Sequence, residues 1–232
     1  MNNHDKQIIH KQLSMSALIG ELPERFFETL AAQAHLERYE AKTLLCQHGQ
    51  PMTHIWLVVE GFIDLIAHAP SGRVSSLVHI GKGQWATWLG CFYDAPPKHD
   101  FYSSANAVLI SVPCQTLRNI ADHHPPLHHS VIRHIGERFR LLMEWTEQSS
   151  LLKHEYRMAK MLCVMARMSE VRGDAGYITA TQDVLARSAG CSRQTTNQLL
   201  KKLADQQLLV LHYKRIEIPS ISKLEDFAFQ SL

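Results

Sequence analysis

The stretch GCSRQTTNQLLKKL, residues 190–203, decides how the C-terminal part of this chain is read. Six polar side chains follow Ser192 before the first leucine, and the leucines at 199, 200 and 203 then recur at helical spacing. A helix that carries hydrogen-bonding groups at its start and buries leucines behind them is built to present those groups to something outside the chain. Gly190 supplies a turn, and Ser192 can cap the helix by accepting a bond from an early backbone N–H. Upstream, TQDVLARSA spells a second short helix: Thr181 can cap it, Val184 and Leu185 face inward, and Ala186 permits close approach. Together these are the parts of a helix-turn-helix.

On the second helix Arg193, Gln194, Asn197, Gln198 and Lys201 fall on or near the outward arc. Guanine offers O6 and N7 to arginine, and adenine offers N6 and N7 to glutamine or asparagine, so these residues suit base edges in a major groove. The free N–H groups and the dipole of the helix start favour phosphate. Downstream, LLVLHYKRIEIPS reads as strand, tight turn and strand, which puts Lys214 and Arg215 at the tip of a wing suited to the sugar-phosphate backbone.

Further outward, the segment from Lys42 to Cys114 consists of short apolar runs separated by turn residues. Ile55, Leu57 and Val59, then Ile63 and Leu65, alternate as half-buried strands do, and the region reads as an antiparallel sandwich or barrel. ELPERFFETLAAQAHLERY before it has helical spacing, with Pro23 near its start. After it, a helix from about Pro126 to Gln148 would be roughly 35 Å long at 1.5 Å per residue. Ile132, Ile135, Phe139 and Leu142 make one seam along it, which either packs on its own sheet or pairs with a second copy of the chain. EQSSLLKHE is a plausible hinge, and YRMAKMLCVMARMSE reads as an amphipathic helix of a second domain.

The 232 residues allow two modest domains. No apolar run is long enough to span a bilayer, and MNNHDKQIIHKQLS lacks a signal-peptide core, so a cytoplasmic protein without a membrane partner is expected. Five cysteines with no Cys-x-x-Cys pair argue for reduced thiols, and against a disulfide framework or a zinc knuckle. From Leu151 onward there are 12 Lys or Arg against 8 Asp or Glu, while the larger remainder has 12 against 14. The basic excess therefore accompanies the helix-turn-helix. No Gly-x-Ser-x-Gly, His-Glu-x-x-His, P-loop or dinucleotide fingerprint is present, so an enzyme is not expected. The competing reading is an enzyme or small-molecule-binding protein in which the helix-turn-helix is only structural.

A β-rich domain, a long helix and a C-terminal winged helix-turn-helix, with GCSRQTTNQLLKKLADQQLL as the specific match, resemble the Crp/Fnr family of bacterial transcription regulators. The resemblance extends from about Leu18 to the C-terminus and implies an α+β chain. A β-roll or jelly-roll sensor domain with its N-terminal arm would span residues 1–125, a dimerisation helix and hinge 126–150, and a winged helix-turn-helix 151–232. It implies a homodimer joined through Ile132, Ile135, Phe139 and Leu142 on a two-fold symmetric double-stranded DNA site, with RNA polymerase as a further partner. By position, Arg193, Gln194 and Gln198 resemble the base-reading residues, with Asn197 beside them. Ser192 and Thr195 match backbone-contacting positions, and Thr181, Gln182, Lys201, Lys214 and Arg215 are expected to join them. Family members often carry Glu and Arg where this chain has Gln194 and Gln198, so a different half-site is implied.

Members that bind cyclic AMP resemble one another in a Gly-Glu pair followed by Arg-Ser or Arg-Thr. Thr87-Trp88 and Lys98-His99 occupy those places here, a degenerate effector pocket. No glutamate lies between Glu60 and Glu137 and no arginine between Arg73 and Arg118. The bidentate phosphate clamp and its ribose partner are therefore both missing, since a lysine offers only a point charge. Trp85, Trp88 and Phe92 either fill the pocket as core or line it for a flatter, more apolar effector. The iron-sulfur type of sensor needs clustered cysteines near the N-terminus, and the first here is Cys46. His79, Cys91 and His99 could ligate haem but show no spacing signature. HHPPLHH, residues 123–129, reads as a solvated helix start rather than a metal site, because Pro125 and Pro126 split the two histidine pairs between faces. No cofactor or metal is expected.

Overall fold

A computed structural model describes residues 2–68, 74–86, 88–93, 95–149, 152–168, 173–178, 180, 182–213 and 215–229. The chain divides into two compact units, Met1–Gly136 and Glu137–Leu232.

The first unit opens with helices α1 (Asn3–Met15) and α2 (Glu24–Gln33). Asn2 caps α1 by accepting the Asp5 N–H at 2.7 Å, and Ile9 and Leu13 bury its inner face. The helix expected to run through Tyr39 stops at Gln33, and His35–Tyr39 is instead strand β1. Its five residues pair antiparallel with Ala107–Ser111, and Leu36 and Tyr39 pack on the core. Pairing with Ala107–Ser111 along one edge gives the segment its ladder hydrogen bonds, and tertiary pairing overrides local propensity.

The other strands are β2 (Thr43–Cys46), β3 (His54–Glu60), β4 (Ile63–His68), β5 (Val74–Ile80), β6 (Trp85–Ala86), β7 (Asp100–Ser103) and β8 (Ala107–Pro113). They form two four-stranded antiparallel sheets, ordered β1-β8-β3-β6 and β2-β7-β4-β5, the sandwich that the alternation predicts. Ile55, Leu57, Leu109 and Ile110 of one sheet share a core with Ile63 and Phe101 of the other. Strand β3 is buried on both faces, Trp56 and Val58 included, where half-burial was expected. The reason is cover: the five-residue helix α3 (Trp88–Phe92) packs on β3 from outside. Gly61, at φ +78°, lies where an added Cβ would come within 3.1 Å of the Ala107 Cα, so the turn between β3 and β4 has no room for a side chain. Helix α4 (Cys114–His123) then leads into α5 (Pro126–Ser149), close to the predicted bounds of the long helix.

The second unit holds the rest of α5, then α6 (His154–Met168), β9 (Gly176–Ile178), α7 (Gln182–Ala189), α8 (Arg193–Asp205), β10 (Val210–His212), β11 (Arg215–Ile218) and α9 (Ile221–Phe229). Strands β10, β11 and β9 form one antiparallel sheet in that order. Leu162, Leu185, Leu200, Leu203, Ile218 and Leu224 meet in its core. The helix-turn-helix and the hairpin stand where the sequence places them, while β9 and α9 carried no signal in the sequence reading.

Candidate nucleic-acid interface

Gly190 sits at φ +64°, a left-handed conformation that ends α7 without steric cost, and the Cys191 N–H donates back to the Ala186 carbonyl at 2.9 Å. Ser192 then caps α8: its hydroxyl accepts the Thr195 N–H at 3.1 Å and lies 2.8 Å from the Thr195 hydroxyl. Thr196 breaks the run of outward polar groups. It is wholly buried, and its hydroxyl donates to the Ser192 carbonyl at 3.0 Å, so the polar run is not a uniform surface. Leu200 and Leu203 are buried and Leu199 packs beside them.

The opposite side of α8 is open. Arg193, Gln194, Gln198 and Lys201 are exposed, and Thr195 and Asn197 are half-buried. At 100° per residue Arg193, Asn197, Lys201, Gln194 and Gln198 span an arc of about 140°. Lys202 is turned away from that arc and bonds Glu155 on α6, which fixes α8 to the body of the unit.

Between α8, the start of α7 and the β10–β11 hairpin lies a cleft of about 540 Å³. It brings together Gln182, Arg193, Asn197, Lys201 and Arg215, five of the residues singled out in the sequence, from three separate elements. Three are permanent cations, and no carboxylate stands among the described residues that line it. Such a concave cationic surface attracts a polyanion before any contact forms. The Arg215 guanidinium rests 4.5 Å from the centre of the Tyr177 ring, which restrains an otherwise mobile side chain. The Oδ1 of Asn197 is buried with no hydrogen-bond partner among the described residues. Gln194, Gln198, Ser192 and Thr195 do not line the cleft and stand on the outer surface of α8 and its cap. Thr181 and Lys214 lie outside the described residues.

The cleft also contains Tyr213, 89% exposed at the hairpin tip, and His212, whose Nε2 lies 3.3 Å from Glu217. Neither was singled out in the sequence, where an HY pair inside an apolar run carries no motif. The turn it precedes was the available signal.

In the first unit Trp85 and Trp88 belong to an aromatic core. Trp85 is fully buried and its Nε1 donates to Ser16 at 2.9 Å; Trp88 is 4% exposed, with ring centroids 5.2 Å apart. Trp88 stacks on Phe92 at 6.4 Å, and Phe92 meets the His128 ring edge-on at 5.6 Å. Lys98 is exposed and His99 half-buried, and Thr87 lies outside the described residues. Two carboxylates of the sandwich are engaged elsewhere: Asp64 is 3.7 Å from Lys42, and Asp100 accepts the His48 N–H and the His68 ring, each at 2.7 Å. Burial would raise the Asp100 pKa, but those two partners hold it below the ordinary carboxylate value. Of the remaining histidines His124 lies against Phe26, with ring centroids 5.2 Å apart. Among the described residues no three His, Cys, Asp or Glu side chains gather as a metal site, and no helix is long and apolar enough to cross a membrane.

Along α5, Ile132, Phe139 and Leu142 are 66%, 61% and 53% exposed, whereas Ile135 is half-buried and packs on the core of the first unit.

Comparison with known proteins agrees with this fold. Residues 36–124 match the cyclic nucleotide-binding domain and residues 156–227 the Crp-like helix-turn-helix domain. The cAMP-activated global transcriptional regulator CRP of Salmonella typhimurium is 21% identical over 194 residues, covering 82% of this chain and 92% of that protein. Its counterpart from Haemophilus influenzae is 23% identical over 187 residues, covering 79% and 84%. Among solved structures, FixK2 from Bradyrhizobium japonicum superposes with a TM-score of 0.65 at 15% identity, covering 83% of this chain and 96% of that one. The c-di-GMP-responsive global regulator CLP of Xanthomonas campestris gives 0.58 at 19% identity, covering 85% and 100%.

Proposed function

We infer that this chain, which belongs to the Crp/Fnr family of DNA-binding transcription regulators, works as a homodimer on a two-fold symmetric DNA site and does not answer to cyclic AMP. The observation that carries the DNA reading is the cleft that joins Arg193, Asn197 and Lys201 of α8 to Arg215 of the wing, with no carboxylate among the described residues that line it. In this reading Arg193, Gln194, Asn197 and Gln198 read base edges in the major groove. Thr181, Gln182, Ser192, Thr195, Lys201, Lys214 and Arg215 hold the phosphates. The uncovered Ile132, Phe139 and Leu142 pack against their copies, which sets two recognition helices about 34 Å apart on one face of the duplex.

Against cyclic AMP stand the missing arginine and glutamate, and Trp85 and Trp88 packed as core beside the place the nucleotide would take. The relatives differ in what they respond to, cyclic AMP for one and c-di-GMP for another. The domains proposed are residues 1–125 for the sensor, 126–150 for dimerisation and 151–232 for DNA. The protein acts in the cytoplasm, with RNA polymerase as its further partner.

Selection of sites from random duplex DNA by the ligand-free protein, with Arg193→Ala in parallel, tests this. A two-fold symmetric site enriched by the wild type, lost by the variant and indifferent to added cyclic AMP is expected. A site enriched only when cyclic AMP is present would overturn the effector assignment, and no enrichment at low salt the DNA assignment.

A further inference from the structure

Of the described residues that line the cleft of the second unit, His212 alone belongs to a type whose charge changes between about pH 5 and 8. The hairpin register sets its place. His212 and Arg215 are cross-strand partners, so their side chains leave the same face of the β10–β11 ladder, and both reach the cleft. The period of two puts Glu217 on that face as well, and its carboxylate lies 3.3 Å from the His212 Nε2. From α8, which packs on β10, Arg193 and Lys201 line the same cleft, and Tyr213 follows His212 in the chain. His212 and Glu217 are 49% and 45% exposed, so water screens their attraction and leaves the ring within reach of a larger anion. A backbone phosphate laid beside Arg215 is such an anion. It offers acceptor oxygens to which a protonated imidazole gives a charge-assisted bond, about twice as strong as a neutral one.

We propose that His212 is a further phosphate contact of the DNA interface, made by the protonated ring, so that binding a duplex takes up a proton at the wing. The proposal rests on the reading of this cleft as the DNA surface. Linkage fixes the sign: if DNA binds the protonated form more tightly, then protons tighten DNA binding by the same factor. Affinity therefore rises as pH falls from 8 to 6. Arg193, Lys201 and Arg215 cannot produce this dependence, because arginine and lysine keep their charge throughout that range. A lysine at position 212 would hold phosphate at every pH, whereas histidine makes the contact conditional.

The experiment measures binding of the full chain to a random-sequence duplex by fluorescence anisotropy from pH 6 to 8 at one low ionic strength. A random duplex serves because phosphate contacts carry no sequence information. Wild type, His212→Gln and His212→Lys are compared, and because the chain has 15 histidines only the difference between proteins is read. Between pH 8 and 6 the wild type should tighten about tenfold more than His212→Gln, the factor that goes with one unit of proton affinity. His212→Lys should keep at pH 8 the affinity that the wild type reaches at pH 6. Titration calorimetry in two buffers of different ionisation enthalpy should count more protons taken up by the wild type than by His212→Gln. Parallel pH profiles, equal proton uptake, or a His212→Lys no tighter than His212→Gln at pH 8 would overturn the proposal and leave the DNA-binding function standing. No binding by the wild type at any pH would overturn both.

Discussion

The Lys160 ammonium, its side chain 2% exposed within the second unit, is held 3.0 Å from the carboxylate of Glu225. This pair ties α6 to α9. Arg167 also bonds Glu225, and the Phe229 ring lies 4.7 Å from the lysine nitrogen. Removing one member of a buried pair leaves the other charge without compensation, which costs about 3 to 5 kcal/mol. Glu225→Ala should lose about that much on urea denaturation of the full chain, while Lys160→Met combined with Glu225→Leu should lose far less. Equal losses would mean that packing rather than charge holds α9.

Arg193 and Arg215 line the same cleft and should fail differently. Arg193→Ala is expected to cost about 1 to 3 kcal/mol on the selected site and to relax preference at one guanine. Arg215→Ala is expected to weaken all duplexes alike and to lower the salt slope by about 1. Binding isotherms on selected and random DNA at several salt concentrations separate the two, and a uniform loss for Arg193→Ala would remove it from base reading.

Ser192 should matter before any DNA is present. Its hydroxyl satisfies the Thr195 N–H, and loss of such a cap costs about 1 kcal/mol. Ser192→Ala should lower the stability of the free protein by that amount, measured by denaturant midpoint.

Phe139, 61% exposed on α5, becomes core if the chain dimerises there. Burial of a phenylalanine contributes about 1.5 to 3 kcal/mol, and two copies are buried together. Phe139→Asp should therefore raise the dimer dissociation constant by at least about a hundredfold in sedimentation equilibrium. An unchanged constant would place the dimer contact elsewhere.

Asp100 gives the fold an acid limit. Its folded pKa lies below the unfolded value, so its contribution is full above the ordinary carboxylate range of about 4 and is lost as pH falls through the lowered value. The Tm gap between wild type and Asp100→Asn should be widest near pH 7 and close toward pH 3. A gap independent of pH would show that shape, not charge, is what Asp100 supplies.

The winged helix-turn-helix was legible because its signals are local. A turn glycine, a capping serine and leucines at helical spacing act within a few residues, and Gly190, Ser192, Leu200 and Leu203 do in the structure what their chemistry predicts. The β-roll was legible for a similar reason, since period-two alternation marks a strand wherever its partner lies. His35–Tyr39 was misread as helix because its strand state exists only through the ladder with Ala107–Ser111, some seventy residues away.

The sequence by itself determined the class of each segment, the absence of a phosphate-clamping arginine between Arg73 and Arg118, and the choice of α8 as the helix that reaches outward. Tertiary structure alone decided that Trp85 and Trp88 are core, that Thr196 turns inward while Tyr213 stands out, and that the Cys91 thiol meets the Cys114 carbonyl across twenty-three residues. The division is physical. Capping, turn geometry and periodicity are fixed by neighbours along the chain, whereas burial and the meeting of distant side chains are fixed by close packing of the whole unit, which no local pattern encodes.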